Sequence, residues 1–337
     1  MDLFCGVGGL THGLKQAGFK GFVGVDADAS CKYAYERNND GTFKCLDVSN
    51  TSAETIAGLF PDRRFRALVG CAPCQPFSSY NKSGPGSQWR LVEDFGRIVV
   101  GAAPDVASME NVPALVRHPV FERLVATLRD AGYTVWFDVV NSAAYGAAQR
   151  RRRLVLMASL HGEIQLIAPS GTVAKTVRQT ISGLPALEAG GVDPSDPLHR
   201  CAGLTSINLK RVRSTPTGGD WRDWPEELRL PCHKRETGLS YPSVYGRLGW
   251  DDVAPTLTTQ FHTLGTGRWG HPEQDRAISL REGALLQGFP RDYEFVEATS
   301  QVKIGTVARH IGNAVPVALG RAIGDSLLLH LRGLDDE

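Results

Sequence analysis

The 337-residue chain is long enough for one large domain and a smaller one, and its 42% hydrophobic, 22% charged composition is that of a globular protein. No apolar run approaches the roughly 20 residues of a membrane helix, and Met1-Asp2-Leu3-Phe4 lacks the basic region and long apolar core of a secretion signal, so neither is expected. Seven scattered cysteines make a poor disulfide framework and suit a reducing compartment, while a net charge of +1 gives no global sign of a polyanion partner but permits a local basic face.

Over about the first 160 residues, short apolar runs alternate with helical stretches, the pattern of an α/β fold with a mostly parallel, doubly wound sheet. Strands are predicted at the chain start, Phe22–Asp26, Arg66–Gly70, Asp105–Met109, Thr134–Val140 and Arg153–Ser159. A helix is predicted between them from Pro119, with Phe121, Leu124, Val125 and Leu128 at helical spacing and Gly132 as its stop. Ligands gather at the carboxyl ends of parallel strands, so the residues at those ends carry the functional argument.

The first strand runs into Phe4-Cys5-Gly6-Val7-Gly8-Gly9, a glycine turn that permits close backbone approach to a ligand. Its Gly-x-Gly-Gly spacing is not the pyrophosphate fingerprint and suits a nucleoside without one. Asp26 ends the second strand, where a carboxylate would meet ribose hydroxyls; a plain surface Asp is the competing reading. The third strand leads into Gly70-Cys71-Ala72-Pro73-Cys74-Gln75-Pro76. Structural zinc needs about four ligands, and His199, Cys201, Cys232 and His233 lie far off in irregular sequence; no metal is expected. A redox couple would normally open a helix rather than lie between two prolines. That leaves Cys74 as a lone nucleophile with Cys71 beside it.

The fourth strand ends in Glu110-Asn111-Val112, placing a carboxyl in the same crevice, unless it merely caps a helix or faces solvent. In Gln149-Arg150-Arg151-Arg152-Arg153 the strand period of two puts Arg151 and Arg153 on one face, though a solvated charge run explains such clusters equally well. From about Pro169 to His271 periodicity fades, marking a loop-rich module. Regularity returns in the stretch Ser279-Leu280-Arg281-Glu282 and in a helix from Val315-Pro316 onward.

In this order the elements resemble the cytosine carbon-5 DNA methyltransferases: Asp2-Leu3-Phe4-x-Gly-x-Gly-Gly, Pro73-Cys74-Gln75, Glu110-Asn111-Val112, Gln149-x-Arg151-x-Arg153, Arg281-Glu282 to Gln287-Gly288-Phe289-Pro290, and Gly312-Asn313-Ala314-Val315. The resemblance implies a Rossmann-like, S-adenosylmethionine-dependent catalytic domain over 1–168, a target-recognition domain over 169–300 and a returning segment over 301–337. Cys74 would add to cytosine carbon 6, Glu110 would assist at ring nitrogen 3, and Arg153 would hold the base carbonyl with Arg151 buttressing. Asn111 would order the loop and Gln149 would contact nucleotide backbone. The cofactor, S-adenosyl-L-methionine giving S-adenosyl-L-homocysteine, would meet Phe4, Gly6, Gly8 and Gly9, Asp26 at ribose and Asp47 at adenine. Pro73, Leu91, Asn313 and Val315 would complete its pocket.

For DNA, the resemblance points to Gln75, Ser78 and Ser79 in a closing loop with hinges at Gly84 and Gly86, and to Lys210, Arg211, Arg213, Thr256 and Leu257 in the recognition domain. Trp221 and Trp224 are expected to pack. Two departures stand out: Asp26-Ala27 replaces a Glu and a bulky residue, weakening adenine stacking there, and the chain opens almost inside the first motif, shortening the first strand. A cytoplasmic, nucleoid-associated monomer acting on double-stranded DNA, with no membrane and with a separately encoded restriction endonuclease, is the implied setting. An RNA methyltransferase of the same family and a non-catalytic relative are the alternatives.

Overall fold

A computed structural model describes residues 1–73, 90–169, 171–235, 238 and 240–334. The chain forms two compact units, one of residues 1–145, 152–172 and 314–337, the other of 146–151 and 173–313. The second unit overlaps most of the span 169–300 expected to be a recognition domain and also holds 146–151 and helix Ile304–Asn313, while 169–172 and the chain from Ala314 belong to the first unit.

In the first unit the elements run β1 Asp2–Leu3, α1 Gly9–Ala17, β2 Phe22–Asp26, α2 Lys32–Asn39, β3 Gly41–Cys45, α3 Ala53–Ala57 and β4 Ala67–Gly70. Then come α4 Arg90–Ala102, β5 Val106–Asn111, α5 Pro119–Asp130, β6 Thr134–Asn141 and β7 Arg152–Ser159. The strand order is β3-β2-β1-β4-β5-β7-β6, parallel between neighbours except at β7, which runs antiparallel to β5 and β6. Strand order reverses between β1 and β4, the switch point at which ligands bind in open sheets.

Burial on both faces explains the near-continuous apolar strands. Leu154, Leu156 and Ala158 of β7 enter one core with Leu3, Phe95, Phe121 and Leu124, while Val155 and Met157 enter another with Leu10, Leu14, Leu319 and Ile323. The period of two along β7 therefore feeds two helical layers. α5 begins at Pro119 and ends before Gly132, whose φ of 91° only glycine adopts cheaply. β3 escaped sequence reasoning because Gly-Thr-Phe-Lys-Cys buries only Phe43, as an edge strand does.

One expectation is corrected. The arginine run is not one strand, since β7 starts at Arg152 and Arg151 belongs to the other unit. Exposure still alternates, with Arg150 and Arg152 exposed, Arg151 buried and Arg153 half-buried.

The second unit holds α6 Val177–Ile181, β8 Val192–Asp193, β9 Asp196–Arg200, α7 Ser206–Arg213, α8 Leu280–Gln287 and α9 Ile304–Asn313, joined by long irregular stretches. Trp221 and Trp224 are buried with Leu228 in one of its small cores. Contrary to the expectation that no apolar run approaches the length of a membrane helix, Ile304–Gly333 is long and apolar enough to span one. Its helical run breaks at Ala314–Pro316, and most of its apolar length is buried, as in the core helices of a folded domain.

Candidate active site

Parallel pairing lines up the carboxyl ends of five neighbouring strands. Leu3 of β1 pairs with Val25 of β2 and with Gly70 of β4, and Gly70 pairs with Met109 of β5. Asp26 pairs with Cys45 at the end of β3. Along this edge the residues at or just beyond each strand's end are, in spatial order, Asp47, Asp26, the Phe4–Gly9 turn, Cys71 and Glu110.

The turn after β1 is backbone-strained where a ligand would approach. Phe4 has φ 58° and Gly6 φ 50°. A methyl built on Gly6 would meet nothing within 4 Å, so the backbone there faces open space. Gly8 answers to a different demand, because a side chain there would strike Asn39 and Tyr35 of α2. Asp26 ties the turn down: its Oδ2 accepts the Gly6 amide at 2.8 Å and its Oδ1 the Asp28 amide at 2.8 Å. These two bonds fix the carboxylate at the end of β2, beside the open backbone of Gly6.

Asp47 is exposed, and the Ser49 hydroxyl and amide, at 2.7 and 2.9 Å, hold its carboxyl below the ordinary carboxylate range. A nucleoside fits this donor set: open backbone at Gly6, one anchored carboxylate and one exposed carboxylate. Leu91 is half-buried against the core, and Val315, expected at the pocket, is buried in the cluster that holds Leu10 and Leu14 of α1. Asn313 is exposed at the end of α9, in the second unit.

At the other end of the edge, Glu110 is only 2% exposed. β5 and β7 run antiparallel with Glu110 opposite Val155, so Arg153, two residues earlier, shares its face. Arg153 Nε lies 2.9 Å from Glu110 Oε1, yet its N–H is not aligned on that oxygen, and Oε1 has no hydrogen-bond donor among the described residues. Arg153 is also held by its Nη1, which donates to the Arg152 carbonyl at 2.7 Å. Glu110 Oε2 accepts from the Cys71 thiol at 2.8 Å. Asn111 Nδ2 donates 3.1 Å to the Ala72 carbonyl and its Oδ1 accepts the Val112 amide, fixing the chain just before Pro73. Cys74, Gln75, Ser78, Ser79, Gly84 and Gly86 lie outside the described residues.

Sequence reasoning passed over Cys71 as a neighbour of the nucleophile. Only the register reveals it: Gly70 pairs with Met109, so the residue just after β4 comes level with Glu110 of β5. Asp2 was also missed. Burial pushes its carboxyl up to about 7, Thr11 donates to Oδ2 at 2.6 Å, and Oδ1 has no partner among the described residues.

In the second unit, Gln149 and Arg151 hold one dipeptide from both sides. The Leu257 amide donates to Gln149 Oε1 at 3.1 Å, and Arg151 Nη1 donates to the Leu257 carbonyl at 2.7 Å. Arg151 Nη2 reaches the Gly312 carbonyl at 3.0 Å, and Thr256 donates to the Arg150 carbonyl at 2.8 Å. Gln149 was expected to contact nucleotide backbone; its side chain is instead fully buried and its Nε2 donates to the Leu286 carbonyl and to Gln287. Leu257 is likewise buried, so its side chain packs and only Thr256 of the pair is exposed.

On α7, Lys210 is exposed, Arg213 is paired with Asp275 at 3.1 Å, and Arg211 lies over Trp224 and Tyr245 while donating to the Leu228 carbonyl. Three of the four residues weighed as zinc ligands have side-chain partners within the protein, and Cys232 is exposed. His199 bonds Ser279 and Pro185, Cys201 donates to Glu188, and His233 stacks on Trp221 with centroids 4.3 Å apart.

Comparison with known proteins matches residues 1–328 to the family described as C-5 cytosine-specific DNA methylase. The chain is 50% identical over 342 aligned positions to the Type II methylase M.HgiDII of Herpetosiphon aurantiacus, covering 100% of this chain and 96% of that one. It is 30% identical to the Type II methyltransferase M1.HphI of Haemophilus parahaemolyticus, over 97% of this chain and 86% of the relative. Arabidopsis thaliana DNA (cytosine-5)-methyltransferase 2 matches at 28%, but over only 28% of its own length. Among solved structures, an E. coli prophage protein assigned as a DNA modification methyltransferase superposes with a TM-score of 0.76 at 23% identity, covering 98% of both chains, and shows the shared fold. The chain belongs to the C-5 cytosine-specific DNA methylase family and is a DNA (cytosine-5-)-methyltransferase.

Proposed function

We propose that the protein methylates carbon 5 of a cytosine rotated out of double-stranded DNA, through a transient bond between Cys74 and carbon 6. The observation that carries this reading is the order of side chains along one sheet edge, with nucleoside-binding groups on one side of the switch point and the Glu110–Arg153 pair on the other.

S-adenosylmethionine, when bound, supplies an electrophilic methyl group. Phe4, Gly6, Gly8 and Gly9 would lie along its methionine end, Asp26 would take its ribose hydroxyls and Asp47 its adenine, with Pro73 and Leu91 as apolar walls. Asp26 is prepared for this by the Gly6 and Asp28 amides, which fix its carboxylate.

Cys74, as thiolate, attacks ring carbon 6, and the displaced electron pair moves toward nitrogen 3 and the base carbonyl. Glu110 meets that charge at nitrogen 3 through a proton or hydrogen bond, and Arg153 meets it at the carbonyl oxygen. Carbon 5 is thereby made nucleophilic and takes the methyl. Loss of its proton to a base re-forms the ring double bond, expels the Cys74 thiolate and returns the nitrogen-3 proton to Glu110. Asn111 holds the backbone before Cys74 through Ala72. The base reaches these groups only outside the duplex, at a cost of a few kcal/mol in stacking and pairing.

In the second unit, Gln149 and Arg151 act as supports for Thr256-Leu257, and Lys210 is the basic residue of α7 with a free surface to offer phosphates. The Type II names of the relatives extend the reading to a companion restriction endonuclease, with the enzyme working as a monomer on cytoplasmic, nucleoid DNA.

Transfer of labelled methyl to duplex DNA tests the reaction, with Cys74→Ser expected to abolish it. Duplex carrying 5-fluorocytosine at the target should trap a covalent adduct, because fluorine cannot leave as a proton. Undiminished transfer by Cys74→Ser, or no adduct despite normal methylation, refutes the nucleophile. Transfer to RNA alone shifts the substrate. Mapping modified cytosines in a host genome gives the sequence read; modification without sequence context would oppose a restriction pairing.

A further inference from the structure

We infer that Cys71 is a positioning residue for Glu110, so that both cysteines of the Cys-x-x-Cys stretch serve the reaction, one at the base and one behind the acid. This rests on the assignment of Glu110 to ring nitrogen 3. The cysteine leaves β4 level with Glu110 on β5, and its thiol donates to Oε2 at 2.8 Å while Arg153 stands 2.9 Å from Oε1.

A carboxyl at the end of a strand can turn about its last bond, and that torsion is broad rather than fixed in one well. Arg153 cannot lock it, because its Nε–H is not aligned on Oε1. The thiol supplies the missing constraint from the opposite oxygen. With Oε2 bonded to Cys71, Oε1 becomes the oxygen presented to the ring, beside a guanidinium that steadies its charge but does not fill its acceptor sites. Asn111, holding Ala72 one residue further on, keeps the thiol at this height. Arg153 also grips the Arg152 carbonyl, so it is held to its own strand and leaves the carboxyl rotation to Cys71.

The donor is replaceable by chemistry of the same kind, which makes the inference separable from packing. Cys71→Ser keeps a hydroxyl donor, whereas Cys71→Ala removes it and Cys71→Val keeps bulk without a donor. A single hydrogen bond to a charged group, weakened here by the poor donor strength of sulfur, corresponds to roughly a tenfold change in rate.

The experiment is steady-state methylation of duplex DNA by the full chain with Cys71→Ala, Cys71→Val, Cys71→Ser, Glu110→Gln and the double variant Cys71→Ala/Glu110→Gln. The expected result is that kcat falls about tenfold in the Ala and Val variants with KM for DNA and cofactor unchanged, and that Ser recovers most of the loss. In the Glu110→Gln background, Cys71→Ala should cost less than about twofold more, because its partner is already altered. Thermal melts of each variant show whether folding is intact. Equal losses in Ser, Ala and Val, or a full tenfold loss added to Glu110→Gln, would assign Cys71 to packing and overturn the inference. A damaging Glu110→Gln with a silent Cys71→Ala would overturn it while leaving Glu110 in place. A silent Glu110→Gln would remove the reading beneath it as well.

Discussion

In the first unit β2, β5 and β7 are buried and satisfy their backbone through ladder bonds, whereas in the second a single side chain, Arg247, donates to the carbonyls of Val212, Thr215, His271 and Gln274. Arg276, fully buried, makes a two-pronged bond to Glu282 at 2.7 and 2.8 Å, and Glu282 in turn accepts the Ser279 amide. Arg281 grips Asp196 in the same forked manner. Where the backbone is irregular its carbonyls lack strand partners, and guanidinium groups, with five donors each, can fill several at once. Regular structure is held by apolar burial and irregular structure by charged donors, so the two units should fail under different insults.

The largest expected effect is in the second unit. Arg276→Leu leaves Glu282 charged, buried and unpaired, and should destabilise that unit by about 3–5 kcal/mol. Urea unfolding followed by Trp221 and Trp224 fluorescence measures it, and a loss below about 1 kcal/mol would show that the pair is not what holds the irregular chain. In the first unit Leu156→Ala should cost about 3 kcal/mol through lost burial and the cavity left behind, and amide exchange should rise in the strands around β7 while the second unit is spared. Equal exchange in both units would erase the distinction.

A pH shift should move the units in opposite directions. Burial lowers the His271 imidazole to about 4, and its Nδ1 accepts the Glu273 and Gln274 amides, so it folds neutral. Below its unfolded value near 6.5 the unfolded chain binds the extra proton, and stability falls until about pH 4. Asp2, raised to about 7 by burial, works the other way. Its folded form holds a proton that the unfolded chain releases between about 4 and 7, so acidification through that range stabilises. From pH 7 to 5 each effect is about 2 kcal/mol. Exchange at pH 5 against pH 7 should therefore protect the first unit and expose the second; Asp2→Asn and His271→Gln should each flatten one response.

The smallest effect is at a cap. Thr176 accepts the Gln179 amide at the start of α6, and Gln179 Oε1 accepts the Thr176 amide. Thr176→Ala should cost about 1 kcal/mol, read as a small shift in the second unit's unfolding midpoint and no change in the first.

Legibility followed the same division. β2, β6, β7 and α5 were readable because apolar periodicity, Pro119 and the Gly132 stop act within a few residues of each other. β3 and α2 were not, since both are polar and their order comes from neighbours: β3 from pairing with β2, α2 from packing of Tyr35 and Asn39 against the glycine turn. In the second unit α8 was foreshadowed, but α7 and α9 were not, and nothing in the composition announced that Arg247 would stand in for a sheet.

From the sequence alone came the ordered chemistry: a glycine turn, a prolyl cysteine, a Glu-Asn pair and an arginine run, each at a strand end. Residue type and spacing set these because reactivity belongs to functional groups and strand ends to local pattern. Tertiary structure decided what those groups touch. It took Arg151 from a shared face with Arg153 and gave it to Leu257, buried Gln149, sank Val315 into the core and set the Cys71 thiol against Glu110. Those outcomes depend on register between segments tens of residues apart, and register is an agreement among strands that no single stretch of chain contains.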